Sequence, residues 1–172
     1  MIFIYLLLIS GLFADNTLDQ LEKELKTNFQ ELKKKDNPPY FMSYSLTETK
    51  VVKIYSSFGS IISDDLDHTN TLDVSLRVGD YKLDNSHIIR GSAFEFGGGS
   101  FSPQVPLDFN ANALKQAAWL ATDKSYKAAT ERFEKVQTNK AVKIEEEDQS
   151  NDFSKEKPVV DIQDLKEKFN AK

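Results

Sequence analysis

From Leu72 to Val78 apolar and polar residues alternate without a break. Leu72, Val74, Leu76 and Val78 fall on one side of an extended chain, and Asp73, Ser75 and Arg77 on the other. A period of two is the signature of a strand with one buried face. Gly79-Asp80 then turns the chain, and Tyr81-Lys82-Leu83-Asp84 is expected to resume the alternation. Upstream, Tyr40–Glu48 and Lys50–Phe58 are rich in aromatic, β-branched and hydroxyl residues and read as two further strands. Gly59-Ser60 follows as a turn, and Ile61–Ser63 begins another strand. Short strands with close turn signals predict an antiparallel meander of about four strands.

A second periodicity brackets this region. Leu18, Leu21, Leu25, Phe29 and Leu32 recur at spacings of three and four, which puts them on one face of a helix over Asp15–Lys35. Thr17 with Gln20 three residues on has the form of a capping box. Lys33-Lys34-Lys35 places positive charge at the helix C-terminal end, and Asn37-Pro38-Pro39 stops it. A longer helix is predicted from Asp108 to about Asn139, capped by Asp108 or Asn110. Its face carries Ala113, Leu114, Ala117, Ala118, Leu120 and Ala121, then Tyr126, Ala129, Phe133 and Val136. Trp119 within it is expected to be a core or interface anchor. The two helices have faces to lay on one sheet, so the expected fold is α+β in two layers.

Three stretches lack period. Residues 86–106 hold Gly91, Gly97, Gly98, Gly99, Pro103 and Pro106 and read as one long loop. Residues 145–152 form an acidic polar run, and 159–169 a short amphipathic stub after Pro158. The domain plan is therefore a leader at 1–14, one α+β domain at 15–142, and an acidic linker with a stub at 143–172. That stub is expected to be a chain stopping short of its next partner element.

Composition changes this picture in three places. The apolar run Ile2–Phe13, ending at Ala14, is too short to span a bilayer. It reads as a secretory signal cleaved after Ala14, with an uncleaved membrane anchor as the alternative. The 172 residues hold no cysteine, which removes disulfides, thiolate zinc sites and a Cys nucleophile. A net charge of −5 repels nucleic acid and anionic membranes, so the expectation is no nucleic-acid partner and no membrane beyond the signal segment. The expected location is periplasmic or secreted.

Candidate chemistry is sparse. Gly97-Gly98-Gly99-Ser100 lacks the Lys-Ser/Thr of a P-loop and the spacing of a dinucleotide site, so it reads as a plain loop. His68 has Asp64, Asp65 and Asp67 nearby, a pattern that fits solvated turn acids better than a divalent site. Only His68 and His87 occur, too few for an ordinary catalytic zinc. No Gly-x-Ser-x-Gly elbow is present. No catalytic, cofactor-binding or metal-ligating residue is assigned.

An ordered set of segments does resemble a known family. Pro38-Pro39-Tyr40-Phe41-Met42-Ser43-Tyr44, Phe58-Gly59, Leu72–Ser86, Gly97–Gly99, Pro106-Leu107-Asp108, Ala113–Ala129 and Asp152–Val160 are similar to the N-terminal region of TldD/PmbA proteins. These metallopeptidases were once called modulators of DNA gyrase, and the likeness is to an exported branch. The resemblance implies helices packed on an antiparallel sheet. It also implies a metal site in a His-Glu-x-x-x-His motif that this chain does not contain, so no catalytic residue carries over. What it implies is a non-catalytic domain for assembly or substrate admission, in a homo- or hetero-oligomer with a TldD/PmbA-like chain, on a peptide substrate. A stand-alone envelope binding module and a truncated, non-functional fragment of a metallopeptidase gene remain as alternatives.

Overall fold

The computed structural model of the chain describes residues 14–89, 100–107, 110–142, 150–157 and 159. The order is helix α1 (Ala14–Leu32), strands β1 (Pro39–Ser57), β2 (Ser60–Val78), β3 (Ser100–Phe101) and β4 (Gln104–Val105), then helix α2 (Ala111–Val142). The fold is α+β. β1 and β2 are antiparallel neighbours, and the two short strands both lie against the far side of β2.

The meander expected from the sequence is in fact one hairpin. Tyr40–Glu48 and Lys50–Phe58 run together as β1, and Ile61–Ser63 joins the Leu72–Val78 segment as β2, each strand being 19 residues long. The reversal is centred on Phe58-Gly59, at φ 50° and 80°. Two positive φ values in a two-residue loop give a turn whose twist matches the flanking strands. Gly59 adopts that conformation freely; a phenylalanine at Phe58 does so against its steric preference.

Only the root of the hairpin is buried. Met42 pairs with Leu76, Tyr44 with Val74 and Leu46 with Leu72, all on one face. Onto this face both helices pack, through Leu21, Leu25, Phe29 and Leu32 of α1 and Leu114, Ala118, Ala121, Ala129 and Phe133 of α2. The hydroxyl of Tyr44 meets both at once: Asn28 Nδ2 of α1 donates to it at 2.9 Å, and Thr122 Oγ1 of α2 lies 2.5 Å away. Burial pushes the Tyr44 phenol above its ordinary pKa. Ser125 of α2 donates to the carbonyl of Val74, tying the helix to the central strand. Full burial of side chains such as Leu72, Val74 and Leu76 contributes about 1.5–3 kcal/mol each, which is where this fold's stability is concentrated.

Several local expectations change. α1 is already under way at Thr17, and Gln20 bonds Glu24, so the capping box does not form. Lys33–Lys35 lie past the last residue of α1, in the turn that precedes Pro38. Of the two proposed caps for α2, Asn110 fills the role, its Oδ1 accepting from the backbone N–H of Asn112 and Ala113. Leu120 and Trp119 are exposed, so neither belongs to the core face. The stretch expected as one loop, 86–106, contains β3 and β4. Tyr81–Leu83 does not resume a strand either. Asp80 Oδ1 accepts from the N–H of Lys82 and Leu83, closing a tight turn. The leader 1–13, Gly97–Gly99 and Asp108 lie outside the described residues.

Candidate functional site

Two features stand apart from the core, one at each end of the hairpin. At the root, a buried carboxylate organises the turn after β2. Asp84 is 0% exposed. Its Oδ2 accepts from Tyr40 Oη at 2.5 Å and Arg77 Nη1 at 2.7 Å, and its Oδ1 accepts from Ser86 N and Oγ, both at 2.6 Å. Tyr40 reaches this point because the register slips between Pro39 and Phe41, leaving it as the extra residue of a bulge. Burial alone raises a carboxyl pKa, but here the hydrogen bonds from Ser86, Tyr40 and Arg77 outweigh it and hold Asp84 below its usual range. The same environment drives Tyr40 upward, first by burial and then by the adjacent carboxylate. Next door, Asn85 stands in for a strand: its Oδ1 accepts from Val78 N, and its Nδ2 donates to Leu76 O.

This cluster also grips a distant segment. Asp152 Oδ2 accepts from Asp84 N at 2.8 Å, and its Oδ1 lies 2.7 Å from His87 Nδ1. Phe153 inserts among Tyr40, Phe41 and Tyr81, with Arg77 stacked over its ring at 4.1 Å. Residues that read in the sequence as acidic linker are thus strapped across the sheet face opposite the helices. The chemistry is that of a lock. Arg77, Asp84 and Tyr40 all have partners within the fold, which fits a structural ion pair.

At the other end the hairpin leaves the body. Beyond Glu48 and Asn70 no helix among the described residues covers it, and about ten residues of each strand project, a reach of roughly 33 Å. Asn70 marks the boundary: it is 1% exposed, and among the described residues its side-chain amide has no hydrogen-bond partner. The arm is not polar in proportion to its exposure. Val51, Ile54, Tyr55, Phe58, Ile61, Ile62 and Leu66 are all exposed, Phe58 completely. An isolated two-stranded ribbon is marginally stable in water, and exposed apolar groups on this scale mark an interaction surface.

The arm also separates the histidine and acids that sit close in sequence. Directly paired residues share a face, so Asp64 and His68 lie with Ile54 and Lys50 on the helix-side face, whereas Asp65 and Asp67 lie on the other. His68 Nε2 and Lys50 Nζ each approach Glu48 at 2.7 Å, and those contacts, the Lys50 one foremost, lower the Glu48 pKa. Asp67 pairs with Lys53. Among the described residues no three His, Asp or Glu side chains gather where they could share a metal ion. Likewise among them, no helix is long and apolar enough to cross a membrane.

Neither a family model, nor a curated protein, nor a solved structure matches this chain.

Sequence reasoning missed both features. For the lock, the signal was Asp84-Asn85-Ser86, three short polar residues able to bond backbone locally. For the arm, it was the apolar residues at 51–66 that fit no single face.

Proposed function

We propose that the chain is a non-catalytic exported domain, akin to the first domain of TldD/PmbA peptidases, that serves assembly or substrate admission with a partner chain. The observation that carries this reading is the division of the molecule. A well-packed body ends in an arm whose apolar side chains contribute nothing to the body's core. The root lock supports it, since it holds Asp152 and Phe153 at a fixed place on the sheet. In this reading the peptide chemistry belongs to a chain bearing the His-Glu-x-x-x-His motif, and both work outside the cytoplasm.

The test is peptide cleavage. The purified chain is expected to leave an unfolded peptide intact with or without zinc. Co-expressed with a TldD/PmbA-like chain that carries the motif, it is expected to co-purify and to change that chain's rate on long peptides. Zinc-dependent cleavage by this chain alone, abolished by a chelator, would overturn the proposal.

A further inference from the structure

We propose that the tip of the arm is an anchor for a neutral, zwitterionic lipid surface, with Phe58 and Ile61 sinking into the boundary between headgroups and acyl chains. This goes beyond the assembly reading and leaves the stem of the arm, with Val51 and Leu66, to the partner chain. Three observations lead there.

The first is where charge stops. From Ile54 to Ser63 ten consecutive residues carry none. Behind them, Lys53 on β1 and Asp64, Asp65 and Asp67 on β2 form a collar of both signs, in which Lys53 pairs with Asp67. The net charge of −5 opposes an anionic surface. A zwitterionic surface does not present that barrier.

The second is that apolar groups surround the tip rather than line one face. Cross-strand pairing puts Ile54 and Ile61 on the helix-side face and Tyr55 on the opposite one. The register shift at Tyr55 and Ser56 leaves Ile62 with no residue opposite it. Phe58 closes the end, wholly exposed. A protein groove covers one face of a ribbon and orients it through charged groups at the rim. Lipid encloses a tip from every side and needs no such rim.

The third is the turn itself. Phe58 sits at φ 50°, in the left-handed region that Asn, Asp and Gly fill at this place in a hairpin. The chain holds an aromatic ring in water at a position whose backbone disfavours it, and strain of this kind collects at functional positions.

Depth follows from the collar. A two-stranded ribbon has open edges, and their unpaired backbone groups bar it from crossing the hydrocarbon. With the Asp64 carboxylate at headgroup level, Phe58 lies four residues beyond the Ile54–Asp64 pair, about 13 Å. That suffices to reach the roughly 5–10 Å at which interfacial elements settle. Tyr55, an amphipathic ring between collar and tip, suits the boundary.

The test is tryptophan fluorescence of the full chain on phosphatidylcholine vesicles, a readout local to the tip. Phe58→Trp combined with Trp119→Phe leaves a single tryptophan, in the turn. Its emission is expected to shift to the blue on vesicles, to be quenched by brominated acyl chains and to be shielded from iodide. Trp119 of the wild type, exposed on α2, should show none of these changes. Ile61→Trp with Trp119→Phe should behave as the turn reporter does, and adding Phe58→Asn should leave it unquenched. Because Asn-Gly is a favoured hairpin turn, that variant should melt no lower than its parent, so lost binding is not lost folding. A tip tryptophan as open to iodide with vesicles as without would overturn the proposal. So would equal quenching of Trp119, or quenching that survives Phe58→Asn. The first of these, with the tip crosslinking to the motif-bearing chain, would give it a protein occupant instead. Co-purification with that chain, on which the assembly reading stands or falls, is read separately.

Discussion

Asp84→Ala is expected to destabilise the domain by about 3 kcal/mol, at the lower edge of what breaking a buried ion pair costs. Arg77 would keep its charge, with its side chain only 22% exposed, and the Tyr40 hydroxyl and Ser86 would lose their acceptor together. In a chain of this size that corresponds to a fall in melting temperature of roughly 10 °C. The strap should loosen too, because a displaced Asp84 no longer orients the backbone N–H that Asp152 accepts from. Limited proteolysis around residues 150–157 would then cleave the variant ahead of the wild type. The effect has a defined pH window. Asp84 is held below its usual range in the folded state, whereas an unfolded aspartate titrates near 3.9. Its contribution is therefore full above that value and is lost as the pH falls through the lower, folded one. Urea melts of wild type and variant should differ by a constant amount from about pH 5 to 8 and converge in stronger acid. A gap that persists at pH 2 would mean that the ionised carboxylate is not the source of the stability. At the alkaline end Tyr40 acts in the opposite direction. Its pKa is raised, so its contribution is present below about pH 10 and lost as the pH rises further.

Gly79→Ala is the second large effect, with a loss of about 3 kcal/mol. Two causes act at one atom. At φ 109° an L-residue is strained whatever the space around it. A Cβ there would also press on the Leu83 carbonyl oxygen and lie 2.7 Å from Phe133 Cε2. The carbonyl belongs to the tight turn that delivers Asp84, and Phe133 is pinned in the core, so neither yields cheaply. Circular dichroism melts would register the loss. A variant as stable as wild type would mean that the turn relaxes, and with it that the lock tolerates movement.

How much of this was legible beforehand follows from where the residues end up. The α1 face from Leu21 to Leu32 and the Leu72–Val78 alternation were readable because one side of each is buried, and burial is what creates periodicity. The arm was readable as strand but not as one continuous ribbon. With solvent on both faces, nothing constrains Thr47–Ser57 or Ser60–Thr69 to alternate, so one long hairpin looked like several short strands. Leu120 and Trp119 misled for a related reason. They lie between buried Ala118 and Ala121 but turn to the solvent side of α2, and apolar residues off its buried stripe still satisfy a helical spacing. The lock was hidden by chemistry. Asp84, Asn85 and Ser86 resemble a solvated turn until Tyr40, 44 positions earlier, and Asp152, 68 positions later, close over them. Long-range pairs of this kind leave no local pattern.

The central claim is that the arm is built for association and the body for stability. Replacing Val51–Asp67 with Asn-Gly tests it most directly, because Lys50 and His68 are already paired and can flank a two-residue turn. Co-purification and thermal melting of that variant, run side by side with the wild type, give the answer. The account predicts a cooperative melt within a few degrees of wild type, together with loss of co-purification with the motif-bearing chain. A collapsed melt, or association that survives the excision, would contradict it.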